Sequence, residues 1–235
     1  MFNLIKRALS LHKRNDYYKE ILALSDINFQ VNKGDRIALL GNNGSGKTTL
    51  LRIIAGLHEK TKGYLKVNGK INAFLQVGAG MEGNLTALEN IFLIGAVMNL
   101  DRKIIKKNLD EIIDFAELRD FLHCPLRDFS TGMVQRLLFS LTRYGYIDAD
   151  ILLMDEIFLG GDIGFREKCY KVLENYMATS NTVIIATHGI EAIKRFCNKA
   201  LLLDKGRQIA FGPTKEVIDF YLNQEFGKKP PPIYE

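Results

Sequence analysis

Eight consecutive residues, Gly41-Asn42-Asn43-Gly44-Ser45-Gly46-Lys47-Thr48, fit G-x-x-x-x-G-K-[ST] at every fixed position, the pattern of a phosphate-binding loop. Glycines let successive backbone N–H groups turn inward on the α- and β-phosphates of a nucleoside triphosphate, and the start of the following helix adds partial positive charge. Lys47 can then reach the β- and γ-phosphates, and the Thr48 hydroxyl can ligate Mg²⁺. A surface turn that merely contains a lysine is the ordinary alternative, but the flanks argue against it. Arg36-Ile37-Ala38-Leu39-Leu40 reads as a short buried strand, and Thr49 to Gly56 carries Leu50, Leu51, Ile53 and Ile54 at helical spacing.

A second group of residues matches the same chemistry. Ile151-Leu152-Leu153-Met154-Asp155-Glu156 is an apolar run closed by two acids, which puts both carboxylates at the C-terminal mouth of a buried strand, where open α/β sheets bind ligands. Asp155 can hold Mg²⁺ through water and Glu156 can polarise an attacking water. His188 follows another apolar run, Val183 to Ala186, at the γ-phosphate end. Alone, a strand-end acid is usually solvated and a lone histidine is usually structural. Together with the glycine loop they form a set suited to hydrolysing a nucleoside triphosphate.

The elements that must position these groups follow from periodicity. Ile27, Phe29 and Val31 alternate and predict a strand within Ala23–Val31, with a turn at Asn32-Lys33-Gly34-Asp35. Tyr64-Leu65-Lys66-Val67 followed by Asn68-Gly69 predicts a hairpin, so antiparallel hairpins should flank the loop unit. From residue 84 to 122 the spacing becomes helical, with Leu88, Ile91, Phe92, Gly95 and Met98, then Ile104, Ile105, Leu109, Ile112, Ile113 and Phe115. Ile151–Met154 and Thr182–Ala186 read as buried parallel strands. A helix is expected between them from about Phe165 to Met177, and a last hairpin joins Ala200–Asp204 to Gln208–Phe211. Residues 1 to 20 suit either a short helix or an edge strand.

Composition sets the remaining bounds. The 235 residues, 47% hydrophobic and 25% charged, describe an ordinary globular chain with room for one sizeable α/β domain. No run approaches 18 apolar residues and Met1 to Leu11 lacks a signal-peptide core, so a cytosolic protein is expected. Cys124, Cys169 and Cys197 have no metal-like spacing and read as reduced thiols. The net charge is +5, with Lys6, Arg7, Lys13, Arg14 and Lys19 near the start. That basic run suits an anionic surface, but no interleaved aromatic pattern points to nucleic acid, and a solvated segment is the expectation. Lys228-Lys229-Pro230-Pro231-Pro232 reads as an extended tail.

Between the loop and the acidic pair lies Phe129-Ser130-Thr131-Gly132-Met133-Val134-Gln135-Arg136, and with it the chain resembles the nucleotide-binding subunit of ATP-binding-cassette (ABC) transporters over residues 17 to 220. The resemblance implies an α/β fold: a P-loop NTPase core with an antiparallel β subdomain and a helical signature subdomain. One ABC-type ATPase domain would span 1–235, with the helical subdomain at about 84–145, an N-terminal extension at about 1–16 and a C-terminal tail at about 224–235. It implies ATP and Mg²⁺ as ligands, with Gly41 to Thr48 and Thr49 around the nucleotide and Tyr18, or its neighbour Tyr17, on adenine. Gln76 would sense Mg²⁺ and the membrane partner, and Asp162 would be the acid following the strand of Asp155. Glu156 and His188 would act in hydrolysis. Ser130 and Gly132 would bind the γ-phosphate held by a second copy, making a head-to-tail dimer.

Three stretches resemble one branch of that family, the exporters of bacterial surface polysaccharides such as O-antigen, capsule or teichoic acid. They are Ser130-Thr131-Gly132-Met133, Gly161-Asp162-Ile163-Gly164-Phe165-Arg166-Glu167-Lys168-Cys169, and Leu75-Gln76-Val77-Gly78-Ala79-Gly80 leading to Leu85-Thr86-Ala87-Leu88-Glu89-Asn90. This implies a separate membrane permease, a lipid-linked glycan substrate and a place at the cytoplasmic face of the bacterial inner membrane. A subunit of a drug or lipid exporter would share the same catalytic residues, and a soluble ABC ATPase would lack the membrane partner.

Overall fold

In the computed structural model, residues 21–75, 80–98, 100–145, 149–155, 162–178 and 181–223 are described. Strands β1 (Arg36–Leu40), β2 (Ile71–Phe74), β3 (Ile151–Asp155), β4 (Thr182–Ala186), β5 (Lys199–Asp204) and β6 (Arg207–Pro213) form one sheet in the order β2-β3-β4-β1-β5-β6. All neighbours are parallel except β5 and β6, which form an antiparallel hairpin. The hairpin turns at Lys205 and Gly206, both with positive φ, as a tight two-residue turn requires.

The central strands are apolar on both faces because both faces are covered. Ala38, Leu40, Leu152, Met154, Val183 and Ile185 join one core with Phe165, Cys169 and Leu173, which lie on α6 (Ile163–Met177). Ile37, Leu39, Leu153, Ile184 and Leu201 point the other way and pack with Leu50, Leu51 and Ile54 of α1 (Lys47–Ile54). Helices α7 (Ile190–Phe196) and α8 (Thr214–Asn223) complete the first layer. The period-2 alternation therefore divides each strand between two cores.

A third apolar core belongs to four helices in the middle of the chain: α2 (Ala87–Val97), α3 (Arg102–Lys107), α4 (Leu109–Ala116) and α5 (Thr131–Gly145). Thr86 caps α2 by accepting from the Glu89 N–H while Glu89 accepts from the Thr86 N–H, a reciprocal box readable as Thr-x-x-Glu. Asn90 is fully buried. Its amide accepts from the Glu82 N–H at 2.9 Å and donates to the Glu82, Leu85 and Thr86 carbonyls at 3.0–3.1 Å, locking the chain that enters the helix.

Two expected pairings are corrected. Ile27, Phe29 and Val31 are half-buried and alternate with exposed Asn28 and Gln30, but this segment forms no strand ladder. The alternation records side chains lying on the sheet, with the Phe29 ring 5.6 Å from that of Phe211, and the backbone pairs only through an isolated bridge between Ser25 and Arg207 among the described residues. The hairpin at Tyr64–Gly69 is also absent among the described residues, and Tyr64 is 85% exposed. Gly69, at φ 123, instead turns the chain so that the Lys70 N–H meets the Asp150 carboxylate at 2.8 Å, and β2 starts beside β3. The antiparallel pairing in the described sheet is thus that of β5 with β6.

Candidate active site

The loop Gly41–Gly46 leaves the C-terminal end of β1 and enters α1 directly. Gly41 has φ +138, and a Cβ there would sit 2.1 Å from the Leu203 carbonyl oxygen, so glycine is required for the loop to pass β5. At the helix entrance Gly46 is left-handed, with φ 104, and supplies no side-chain cap. The first N–H groups of α1 are thereby left for an anion. Lys47 is buried, and its Nζ donates to the Gly41 carbonyl at 2.8 Å and the Asn42 carbonyl at 3.1 Å, which holds the ammonium under the loop.

Three separated segments meet this loop. Thr48 Oγ1 donates to Asp155 Oδ2 at 2.6 Å, joining α1 to the end of β3. His188, just past β4, places Nε2 3.0 Å from Asn43 Oδ1. The β5–β6 turn is tied on the third side: the Gly206 N–H donates to the Ser45 carbonyl at 3.0 Å, and the Ser25 N–H donates to the Gly206 carbonyl at 2.8 Å. An open cleft of about 780 Å³ results, lined by loop residues including Asn43, Gly44, Gly46, Lys47, Thr48 and Thr49, and by Ile21, Leu22, Arg52, Asp155 and Lys205. That volume suits a nucleotide-sized ligand.

The donor set fits a phosphate chain and a hard cation. Ser45 Oγ is buried with no hydrogen-bond partner and faces Gly41, where a Cβ would meet it at 2.6 Å; the donors open to the cleft are the uncapped first N–H groups of α1 and Lys47. Among the described residues no group of three His, Cys, Asp or Glu could hold a metal by itself. The Thr48 hydroxyl and the Asp155 carboxylate, hydrogen-bonded at 2.6 Å, are oxygen donors that fit a hard cation.

Ser130 and Gly132 lie elsewhere. Ser130 Oγ accepts from the Met133 N–H at 3.2 Å, capping α5, and neither residue lines the cleft. Asp162 caps α6 by accepting from the Phe165 N–H at 2.9 Å and forms an ion pair with Arg136 of α5. The Phe165 N–H and, more weakly, Arg136 hold its carboxyl below the usual range. Tyr17, Tyr18, Gln76 and Glu156 lie outside the described residues. No local pattern singles out Ile21, Leu22, Arg52 or Lys205, which reach the cleft through tertiary packing.

A glycine loop opening a helix, its threonine hydrogen-bonded to the acid at the end of a parallel strand, defines a P-loop nucleoside triphosphatase. Comparison with known proteins narrows the class. Residues 24–158 match the family model described as ABC transporter, and the chain belongs to that family. It is 35% identical over 216 residues to an O-antigen export system ATP-binding protein, RfbB, of Klebsiella pneumoniae, covering 92% of this chain and 85% of the relative. It is 36% identical over 228 residues to the teichoic acids export ATP-binding protein TagH of Bacillus anthracis, covering 97% of this chain but 40% of that protein. Among solved structures, the ATP-binding subunit of an ABC transporter superposes with a TM-score of 0.69 at 24% identity, covering 87% of each chain. A dimeric ATP-binding cassette in a post-hydrolysis state bound to ADP and Pi superposes with a TM-score of 0.67 at 25% identity, covering 84% of this chain and 94% of that one. Among the described residues no helix is long and apolar enough to cross a membrane.

Proposed function

We propose that this chain is the ATP-binding and ATP-hydrolysing subunit of a bacterial exporter of lipid-linked polysaccharide of the O-antigen, capsule or teichoic acid type. It would work at the cytoplasmic face of the inner membrane beside a separate permease. The names of the relatives favour that cargo, and the separation of Ser130 from the cleft carries the mechanism.

One chain holds two unlike half-sites. The P-loop, Lys47, Thr48, Asp155 and His188 form one, with Glu156 following Asp155. Ser130, Gly132 and the exposed start of α5 form the other, where a hydroxyl, backbone amides and the helix dipole suit an anion. Two copies head to tail would place each signature against the γ-phosphate bound by the other. Mg²⁺, when bound, would neutralise phosphate charge. Thr48 and Asp155 would hold that ion, Gln76 would sense it, and Glu156 would orient the water that attacks the γ-phosphorus, yielding ADP and phosphate. His188 would hold the γ-phosphate end, Tyr18, or its neighbour Tyr17, would pack on adenine, and Asp162, the acid following the strand of Asp155, caps α6 and pairs with Arg136. Dimer closure and opening would drive the permease.

The test is a Glu156→Gln variant purified with and without the permease encoded beside it. It should bind ATP, form a stable dimer and lose turnover, while the parent complex is stimulated by its lipid-linked glycan. Turnover at the parent rate in the variant would overturn the assignment of Glu156. Indifference of the parent complex to every lipid-linked glycan would overturn the cargo.

A further inference from the structure

The nucleotide site leaves unused a group of charges where the signature helix meets the core. Arg136, six residues beyond Ser130 on α5, has a side chain only 18% exposed. Its guanidinium bonds Glu117 Oε2 at 2.6 Å, pairs with Asp162, and lies 5.2 Å from the centroid of the Phe165 ring. The other oxygen of Glu117 takes Lys168 of α6. One carboxylate thus joins the end of α4, the signature helix α5, and α6, whose cap Asp162 follows the strand of Asp155.

The backbone at Glu117 makes its side chain informative. This residue ends α4 in the left-handed conformation, with φ 58, a position that ordinarily takes glycine or asparagine. A glutamate held there bears a conformational cost that glycine would not. Aromatic contacts also reach α6 from α5 and α4, with Phe139 6.3 Å from Phe165 and Phe115 5.6 Å from Phe165. Apolar packing sets separation but is non-directional, whereas charge-assisted hydrogen bonds fix rotation and slide. A phosphate site needs its donors placed within about 0.5 Å.

We infer that Glu117 is a positioning residue for the signature half-site: by holding Arg136 and Lys168 together it sets α5, and with it Ser130 and Gly132, relative to α6. This rests on the composite-site reading above. Both Lys168 and Arg136 hold the Glu117 carboxyl below its usual range, so the group is charged at neutral pH. Its half-exposed pair with Lys168 contributes little to stability, so variants of that pair separate positioning from folding.

The experiment follows the ATP-dependent dimer of the Glu156→Gln protein by light scattering during ATP titration with Mg²⁺. Adding Glu117→Gln should raise the ATP concentration at half-dimerisation about fivefold or more, while ADP affinity, read on the P-loop half alone, stays at the parent value. Lys168→Ala should shift the midpoint the same way and Lys168→Arg should restore it. Glu117→Gly, which relieves the backbone, should melt no lower than the parent yet still shift the midpoint. A parent-like midpoint in either Glu117 variant, or an ADP affinity falling in step with it, would overturn the inference. If the Glu156→Gln protein stayed monomeric in ATP, the composite-site reading would fall and this one with it; a dimer indifferent to Glu117 removes this inference alone.

Discussion

Thr48 Oγ1 and Asp155 Oδ2 stand 2.6 Å apart, so residues from opposite ends of the loop-and-sheet unit present two oxygens at one point. Mg²⁺ would be held by the Thr48 hydroxyl and, through water, by Asp155, keeping water and phosphate for the rest of its shell. Asp155→Asn removes the charge and retains the shape. It should weaken Mg²⁺ affinity in the presence of ATP by about 10–100-fold and abolish turnover. Titrating Mg²⁺ against the ATP-induced rise in melting temperature reads the first effect, and phosphate release the second.

Lys47 is expected to separate binding from folding. Its ammonium already has two carbonyl partners, Gly41 and Asn42, so it waits beneath the loop in an ordered position. Lys47→Ala should weaken ATP by about 1.5–3 kcal/mol, the range for hydrogen bonds to charged groups. Calorimetric titration with ATP checks this; an unchanged affinity would remove Lys47 from the phosphate site.

Two glycines with the same backbone angle should respond differently. Gly206 and Gly44 both have φ +78, but a Cβ on Gly206 would lie 2.3 Å from the Ala23 carbonyl oxygen, while one on Gly44 meets nothing within 4 Å. Gly44→Ala should cost about 1–2 kcal/mol, the left-handed penalty alone. Gly206→Ala adds a backbone clash and disturbs its bonds to Ser25 and Ser45. It should melt several degrees below Gly44→Ala and also lose nucleotide affinity, because the displaced turn is a wall of the cleft.

Local pattern made some of this architecture legible and tertiary pairing hid the rest. β1, β3 and β4 could be read because a strand covered on both faces must be continuously apolar, and α1 because the glycine motif demands a helix next. The Asn68-Gly69 turn chemistry was legible, but the partner of the next strand was not. β2 pairs with β3, through Ile71 and Ile151, and nothing local encodes that choice. Buried Asn90 has the look of an ordinary helix polar residue until its carbonyl partners converge. Glu117 and Lys168 sit on different helices with no shared local pattern. Lys205 was readable as a turn residue, while its place on the cleft wall depended on the packing of three segments.

The cysteines give a pH dependence. Burial pushes the Cys169 and Cys197 thiols up from 9.0 to about 12. Both should stay protonated and resist alkylation at pH 8 in the folded protein, while partly exposed Cys124 reacts first. For these two acids the raised folded pKa favours the native state below about pH 9. That contribution is lost as pH rises towards 12, because the unfolded thiols ionise first and the unfolded chain then binds fewer protons. Peptide mapping after iodoacetamide checks the reactivity. A flatter fall in melting temperature between pH 9 and 11 for a Cys169→Ala, Cys197→Ala variant checks the linkage.

Ser130 carries two roles that substitution can pull apart. Its Oγ caps α5 through the Met133 N–H, and in the proposed dimer the same end of the helix faces a γ-phosphate. Ser130→Ala loses the cap, at about 1 kcal/mol, but keeps the backbone amides and the helix dipole that draw an anion. Ser130→Asp keeps a good cap, since a carboxylate accepts the same N–H, but sets a negative charge against the incoming phosphate. The two variants should therefore rank in opposite orders: the Ser130→Asp protein melts higher, and the Ser130→Ala protein hydrolyses ATP faster. If both measurements ranked the variants alike, with the aspartate variant ahead in turnover as well, this helix end would not face an anion, and the composite site would have to be built from other residues.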